Sequence, residues 1–277
     1  MDKIPMTLIK RFTLAQRLFH LVLMLCFVTQ AVTGLARMYI TTDWGKFLAS
    51  LFGGYYGTLN IHWWVGLFML AAFCVHIAYL FRRVDWKRLP GSIYGPDSIL
   101  PRPEDASQAV QHIGWLLGLS KYPRIDRWTY LEKFDYWAVF WGICILGSTG
   151  VILYNPVFSS QYMPGWILNV LLWVHRIEAL LAMGHVFIIH FFIAHLRRNN
   201  FPMDMAMFDG SVDLAKLRLE RPAWVARMKQ SGVLKRQIAS EVTMEKRVLF
   251  YILGYAVMAI GVFLLIGGLV NSTALVW

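Results

Sequence analysis

Acidic residues are scarce in this chain: 16 Asp and Glu stand against 27 Lys and Arg, and all charged residues together make up 16% of 277 positions. A soluble domain carries about a quarter charged residues, so an ordinary soluble globule is excluded. Cysteine is scarcer. Cys26, Cys74 and Cys144 all fall inside apolar runs and form no CxxC, no CxxCH and no disulfide framework. The sequence therefore shows no motif for an iron–sulfur cluster or for covalently attached c-type haem. A Gly-rich phosphate loop and a nucleophile elbow are also missing. No motif for oxidising a soluble substrate is present.

What is abundant is apolar. Hydrophobic residues make up 57% of the chain and the mean hydropathy is +0.50. Five runs approach the roughly 20 residues that span a bilayer: Leu14–Tyr39, Leu59–Phe81, Phe134–Tyr154, Ile167–Leu196 and Val248–Val270. The first is too long for a signal h-region and no small-residue cleavage site follows it, so it reads as a retained span. Basic residues set the orientation. Lys3, Lys10, Arg11 and Arg17, the loop opening "RRVDWKR" and the loop from Arg197 to Arg247 all fall on one side, while "NPVFSSQYMPG" has no charge. The expected protein is an all-α integral membrane bundle of five spans, in a bacterial inner membrane. Its N-terminus is cytoplasmic and its C-terminus outside. Anionic lipid accounts for the net charge of +11 without a nucleic-acid partner. The expected divisions are 1–200 for the first four spans with cytoplasmic loop 82–133, a basic segment 201–246 and a fifth helix 247–277. Within the basic segment, "FPMDMAMFDGSVDLAKLRLERPAWVARMK" reads either as an amphipathic stretch lying on a membrane or partner or as a solvated connector.

Seven of the eight histidines lie in spans: His20 in the first, His62 and His76 in the second, His175, His185, His190 and His195 in the fourth. Intramembrane ionisable residues are costly and usually functional. His175 and His190 are 15 residues apart, and His62 and His76 are 14 apart, so each pair separates by about 21–22 Å along its helix. At about 100° per residue each pair keeps broadly to one face, with one member near each membrane side. Two stacked bis-imidazole haems need that arrangement. The outer level has a single solution, His62 with His175. The inner level is over-supplied by His20, His76, His190 and His195. His185 points away and reads as a carbonyl-bonded interhelical residue. A zinc site would gather three or four ligands at one centre, which the two-level spread opposes. Gly66, Gly142, Gly147 and Gly150 offer close approach to a macrocycle or to another helix. Thr33-Gly34 and Thr149-Gly150 recur near the outer ends of the first and third spans, a faint duplication of a two-helix unit.

The pieces "AQRLFHLVLM", "NIHWWVGLFML", "EKFDYWAVFWGICILGSTGVILYNP" and "WVHRIEALLAMGHVFIIHFF" together resemble the di-haem cytochrome b subunits of membrane-bound formate dehydrogenases, nickel–iron hydrogenases and thiosulfate-reductase-type complexes. The resemblance covers most of residues 10–200. It implies a haem-binding four-helix core plus one extra C-terminal helix, and two haems b. His62 and His175 would hold the outer haem, and His20 and His190 the inner one, with a quinone or menaquinone beside the latter. The fourth-helix ligands are usually 14 apart and here 15, which suggests a π-bulge between them. His76 and His195 have no obvious counterpart. His76 is a rival inner ligand, and His76 with His195 leaves a third haem open. "WTYLEK" lacks the family's Asn-Ala-Gly near the quinone.

The function implied is electron transfer across the membrane between quinone and a partner subunit. That partner would be catalytic, iron–sulfur or multihaem cytochrome, more naturally on the outer face. Tyr130, Glu132, Lys133 and Asp135 are candidate quinone-site residues, and they serve equally well as ordinary interfacial residues. Arg37, Arg176 and Trp128 are candidate propionate partners or interface anchors, and Glu178 a proton group or a partner of Arg176. Two other classes fit the composition: a self-contained transmembrane haem reductase, and a haem-free proton or metal transporter.

Overall fold

The computed structural model describes residues 7–274. Lys3 and the last three residues of the C-terminal segment lie outside them. The elements are β1 (Leu8–Lys10), α1 (Leu14–Met38), α2 (Asp43–Ser50), α3 (Gly54–Arg83), α4 (Pro103–Leu116), α5 (Tyr130–Tyr154), α6 (Gly165–Gly184), β2 (Ser211–Asp213), α7 (Leu214–Glu220), α8 (Pro222–Gln230) and α9 (Met244–Val270). α6 continues through π-helical turns at His185–His190 and Phe192–Leu196. Five helices, namely α1, α3, α5, the extended α6 and α9, are long and apolar enough to cross a membrane. The chain is an all-α multi-pass membrane protein.

Local chemistry starts these helices. Thr13 and Gln16 exchange bonds at the head of α1, the Thr13 N–H donating to Gln16 Oε1 and the Gln16 N–H to Thr13 Oγ1. Thr129 and Glu132 do the same at the head of α5. Both are capping boxes, which satisfy amide donors that a helix start otherwise leaves orphaned. Each capping threonine precedes a Thr-Gly pair by 20 residues: Thr13 to Thr33, and Thr129 to Thr149. The duplication in the first and third spans therefore extends over whole helices. Between α2 and α3 the chain turns through Gly53 and Gly54 at φ +79° and +87°, a region that L side chains avoid.

The described chain forms two compact units. One comprises Leu18–Ile77, Val139–Asp204 and the chain from Val248 onward, and holds the bulk of the spans. Its core gathers Ala31, Leu35, Ala36 and Tyr39 of α1 and its end, Leu48 and Ala49 of α2, Met183, Phe187 and Phe191 of the fourth span, and Val257 and Leu264 of α9. The fifth span is thus fastened to this bundle. Gly261 lets Phe187 and Phe191 approach α9, and the Tyr39 hydroxyl donates to the Gly268 carbonyl at 3.0 Å.

The other unit comprises the chain up to Arg17, Ala78–Ala138 and Met205–Arg247. β1 pairs antiparallel with β2, Ile9 opposite Val212, and Ile9 also bridges Ile238. Ile9, Leu217, Trp224, Val225 and Met228 form a small core. Within the 201–229 stretch, Leu217, Trp224, Val225 and Met228 pack against Ile9 of the chain's own strand β1, while Phe201 and Leu219 stay exposed.

A candidate bis-histidine electron-transfer site

The site is assembled from four helices of the membrane-bundle unit. The His62 and His175 rings face one another with centroids 6.3 Å apart and planes at 70°. His20 and His190 face one another at 6.5 Å and 43°. An imidazole nitrogen lies about 2 Å from a first-row metal, and the ring centre lies about 1.1 Å further back. Two axial imidazoles on one iron therefore stand with centroids about 6.2 Å apart. Both pairs have that spacing. Among the described residues no group of three or more His, Cys, Asp or Glu is placed to hold a metal ion, so the histidines are disposed as pairs and not as a zinc cluster.

The first pair is oriented by threonines. Thr33 Oγ1 lies 2.9 Å from His62 Nδ1, and Thr149 Oγ1 lies 2.8 Å from His175 Nδ1. Each hydroxyl gives its one proton to a carbonyl four residues back, Thr33 to Thr29 and Thr149 to Ile145, both at 2.7 Å. Each is then left as an acceptor for an Nδ1–H. This network assigns the tautomer that leaves Nε2 bare as a metal ligand. The next residue is glycine in both cases. A Cβ on Gly34 would stand 3.5 Å from His62 Cε1, and one on Gly150 would stand 3.4 Å from His175 Cε1. Both distances are ordinary van der Waals contact, so each ring edge packs directly on its glycine. Gly66, Gly142 and Gly147 serve helix packing instead, admitting Gln30, Glu178 and Leu70.

A cavity of about 590 Å³ is lined by Arg37, Met38, Ile40, Thr41, Asn169, Leu172, Trp173 and Arg176. The Arg37 guanidinium is close enough for its charge to bear on both His62 and His175, and its buried Nε has no hydrogen-bond partner. Buried cationic donors of this kind want an anion. These features fit a haem: two imidazoles at axial spacing with fixed tautomers, and a cavity bearing Arg176 and Arg37, whose buried Nε has no hydrogen-bond partner.

At the second pair, the π turns place His195 against His190, with centroids 6.1 Å apart. A π turn absorbs an extra residue without adding a turn. The 15-residue spacing of His175 and His190 is accommodated in that way, and an α-helical wheel misplaces residues beyond Gly184. His76 packs edge-on against Phe19 at 4.8 Å.

The other candidate residues belong to the second unit. Glu132 accepts from Arg11 at 2.7 Å and Arg221 at 3.0 Å while closing the Thr129 capping box. Lys133 Nζ donates to both oxygens of Asp105 at 2.9 and 2.8 Å. Tyr130 bonds His112 at 3.0 Å, and Asp135 follows on the same helix. Trp128 donates its indole N–H to the Asp97 carbonyl and stands under the Arg11 and Arg127 guanidinium groups. Glu132, Lys133 and Trp128 thus have structural partners from distant segments, which local spacing does not reveal. Arg227 forks onto Asp97 at 2.8 Å and also holds Asp126 at 2.7 Å. Burial pushes the Asp97 pKa up, but the Arg227 hydrogen bonds and the charges of Arg227 and Arg127 outweigh it and hold the carboxyl below 3.8.

Paired imidazoles between apolar helices define a class, the membrane cytochrome that carries electrons through b-type haem. Residues 11–203 match the family described as prokaryotic cytochrome b561, and the chain belongs to that family. It is 21% identical over 236 residues to the cytochrome b556(Fdn) subunit of the nitrate-inducible formate dehydrogenase of Escherichia coli K12, covering 82% of this chain and 95% of that one. It is 24% identical over 230 residues to the formate dehydrogenase cytochrome b556(fdo) subunit of the same organism, covering 83% and 97%.

Proposed function

We propose that the chain is the membrane subunit of a quinone-linked oxidoreductase, carrying electrons across the bilayer through two haems b. His62 and His175 would hold one and His20 and His190 the other. The observation that carries this is the pair of ring spacings, 6.3 and 6.5 Å, each suited to one iron. His175 and His190 put the two sites about 20 Å apart along the fourth span. Bound haem supplies a one-electron couple, and the protein sets its potential through ligands, burial and charge. Arg37 and Arg176 would take the propionates of the His62–His175 haem.

His195 stands beside His190 on the same helix, with centroids 6.1 Å apart, and His76 packs on Phe19; in the two-haem reading both flank the second haem, and in the rival reading they hold a third one between them. The basic loops support a cytoplasmic N-terminus and an external C-terminus in a bacterial inner membrane. That orientation puts the His62–His175 haem outside, where it would receive electrons from a catalytic, iron–sulfur or multihaem subunit. The His20–His190 haem would then exchange them with a quinone, two electrons and two protons per ring. Tyr130, Glu132, Lys133 and Asp135 are the residues proposed for proton exchange, although Glu132 and Lys133 are held in ion pairs and Tyr130 is bonded to His112.

The test is haem content with spectra of single variants. Two haems per chain are expected. His62→Ala and His175→Ala should each abolish the same one, and His20→Ala and His190→Ala the other. Three haems per chain, different losses within a pair, or a haem-free purified chain would overturn the reading.

A further inference from the structure

Beyond the ligands themselves, the bundle contains a device that occurs twice. On α1, Thr33 is fully buried and Thr149 on α5 is 4% exposed. Each spends its hydroxyl proton on its own helix and turns an oxygen to a histidine on the helix that follows. The two ligands of one site are therefore held in the same way from opposite sides. Each threonine stands 20 residues after a capping threonine and directly before a glycine on which the ring edge packs.

We infer that Thr33 and Thr149 are positioning residues that set the ligand-plane angle and lower the reduction potential of the haem held by His62 and His175. An Nδ1–H that donates to a hydroxyl oxygen makes the imidazole a more basic ligand. A more basic axial pair stabilises ferric over ferrous iron and so lowers the potential. Two such bonds act in the same direction on one iron. The hydroxyls also fix both rings about their side-chain torsions, and the planes stand at 70°. Steep angles between axial imidazole planes make the low-spin ferric resonance strongly anisotropic. His20 has no side-chain hydroxyl bonded to it among the described residues, so a hydroxyl on each of two facing ligands is found at the His62–His175 pair and not at the His20–His190 pair.

The inference rests on the reading of His62 and His175 as haem ligands. Its test is a redox titration and ferric EPR spectrum of the full chain carrying Thr33→Val, Thr149→Val or both, with Thr33→Ser and Thr149→Ser as hydroxyl-retaining controls. Valine keeps the shape and deletes the bond. The expected result is a positive shift in midpoint potential of the haem that His62→Ala removes. The shift should be larger in the double variant, with a changed ferric anisotropy, and the other haem should not move. The serine variants should stay near wild type. Valine variants with unshifted potential and unchanged spectrum would overturn the inference, as would serine variants that shift as much as valine. If haem falls below detection in the valine variants, full occupancy at the wild-type potential in the serine variants still supports it, and equal loss in serine refutes it. If His62→Ala removes no haem from the wild type, the ligand reading fails instead.

Discussion

Glu132→Gln tests the second unit at its most concentrated point. The carboxylate neutralises Arg11 and Arg221, whose side chains are 4% and 9% exposed, and is itself 28% exposed. Gln keeps the shape and one acceptor oxygen but removes the charge, so two nearly buried guanidinium groups are left facing an amide. Breaking a buried pair from one side costs about 3–5 kcal/mol. Whole domains are stable by only about 5–15 kcal/mol, so the unit loses a large part of its margin. Glu132 also closes the capping box of α5, which Gln can still do, so the helix start should survive. The assay is limited proteolysis of the purified chain, with the haem spectrum read in parallel. Cleavage in the 82–133 and 205–247 segments should rise by two orders of magnitude or more, since 3 kcal/mol is about a factor of 150 in an opening equilibrium. Under the proposed two-haem reading both haem bands should persist, because His20, His62, His175 and His190 lie in the other unit. Arg11→Met combined with Glu132→Gln should cost less than the sum of the single changes. Wild-type resistance in Glu132→Gln, or full additivity, would refute the reasoning and return Glu132 to solvent or to a quinone.

Acid should loosen the same unit. Asp97 is held below 3.8 by Arg227 and Arg127. Its contribution is therefore fully present above the unfolded pKa and is lost as pH falls through the lower folded value, so protease resistance should decline below about pH 4. Asp97→Asn should remove that step, and an unchanged acid profile would show that the pair carries none of it. Gly267→Leu on α9 should collide with the Trp44 indole and lower the thermal midpoint, overpacking costing about 1–3 kcal/mol. Haem stoichiometry should hold, because the ligands lie on α1, α3 and the fourth span. Haem loss there would mean that the fifth helix helps to form the sites.

The sequence alone determined the spans, because a bilayer forces every crossing helix to be long and apolar, and that signal is local. It determined which histidines stand at which level, because rise per residue converts spacing into depth. On those grounds the spacing singled out His62 with His175, whose rings the structure sets 6.3 Å apart, and a spacing one residue longer than in the resembling family pointed to the π turn of the fourth span. The Thr-Gly repeat was visible only as a faint duplication; its meaning needed the adjacent helix, since Thr33 and His62 are 29 residues apart and Thr149 and His175 are 26.

Tertiary structure alone decided what is paired with what. Glu132 and Lys133 read as interfacial charges until Arg11, Arg221 and Asp105 came beside them from segments distant in the chain. The 201–229 stretch read either as amphipathic or as a solvated connector. What covers its apolar face was decided by a three-residue strand at the N-terminus whose own sequence, Leu8–Lys10, carries no signal of its partner. Helical periodicity fixes which way a side chain faces along its own axis. It does not fix the rotation of one helix against the next, and contacts between distant segments depend on that rotation.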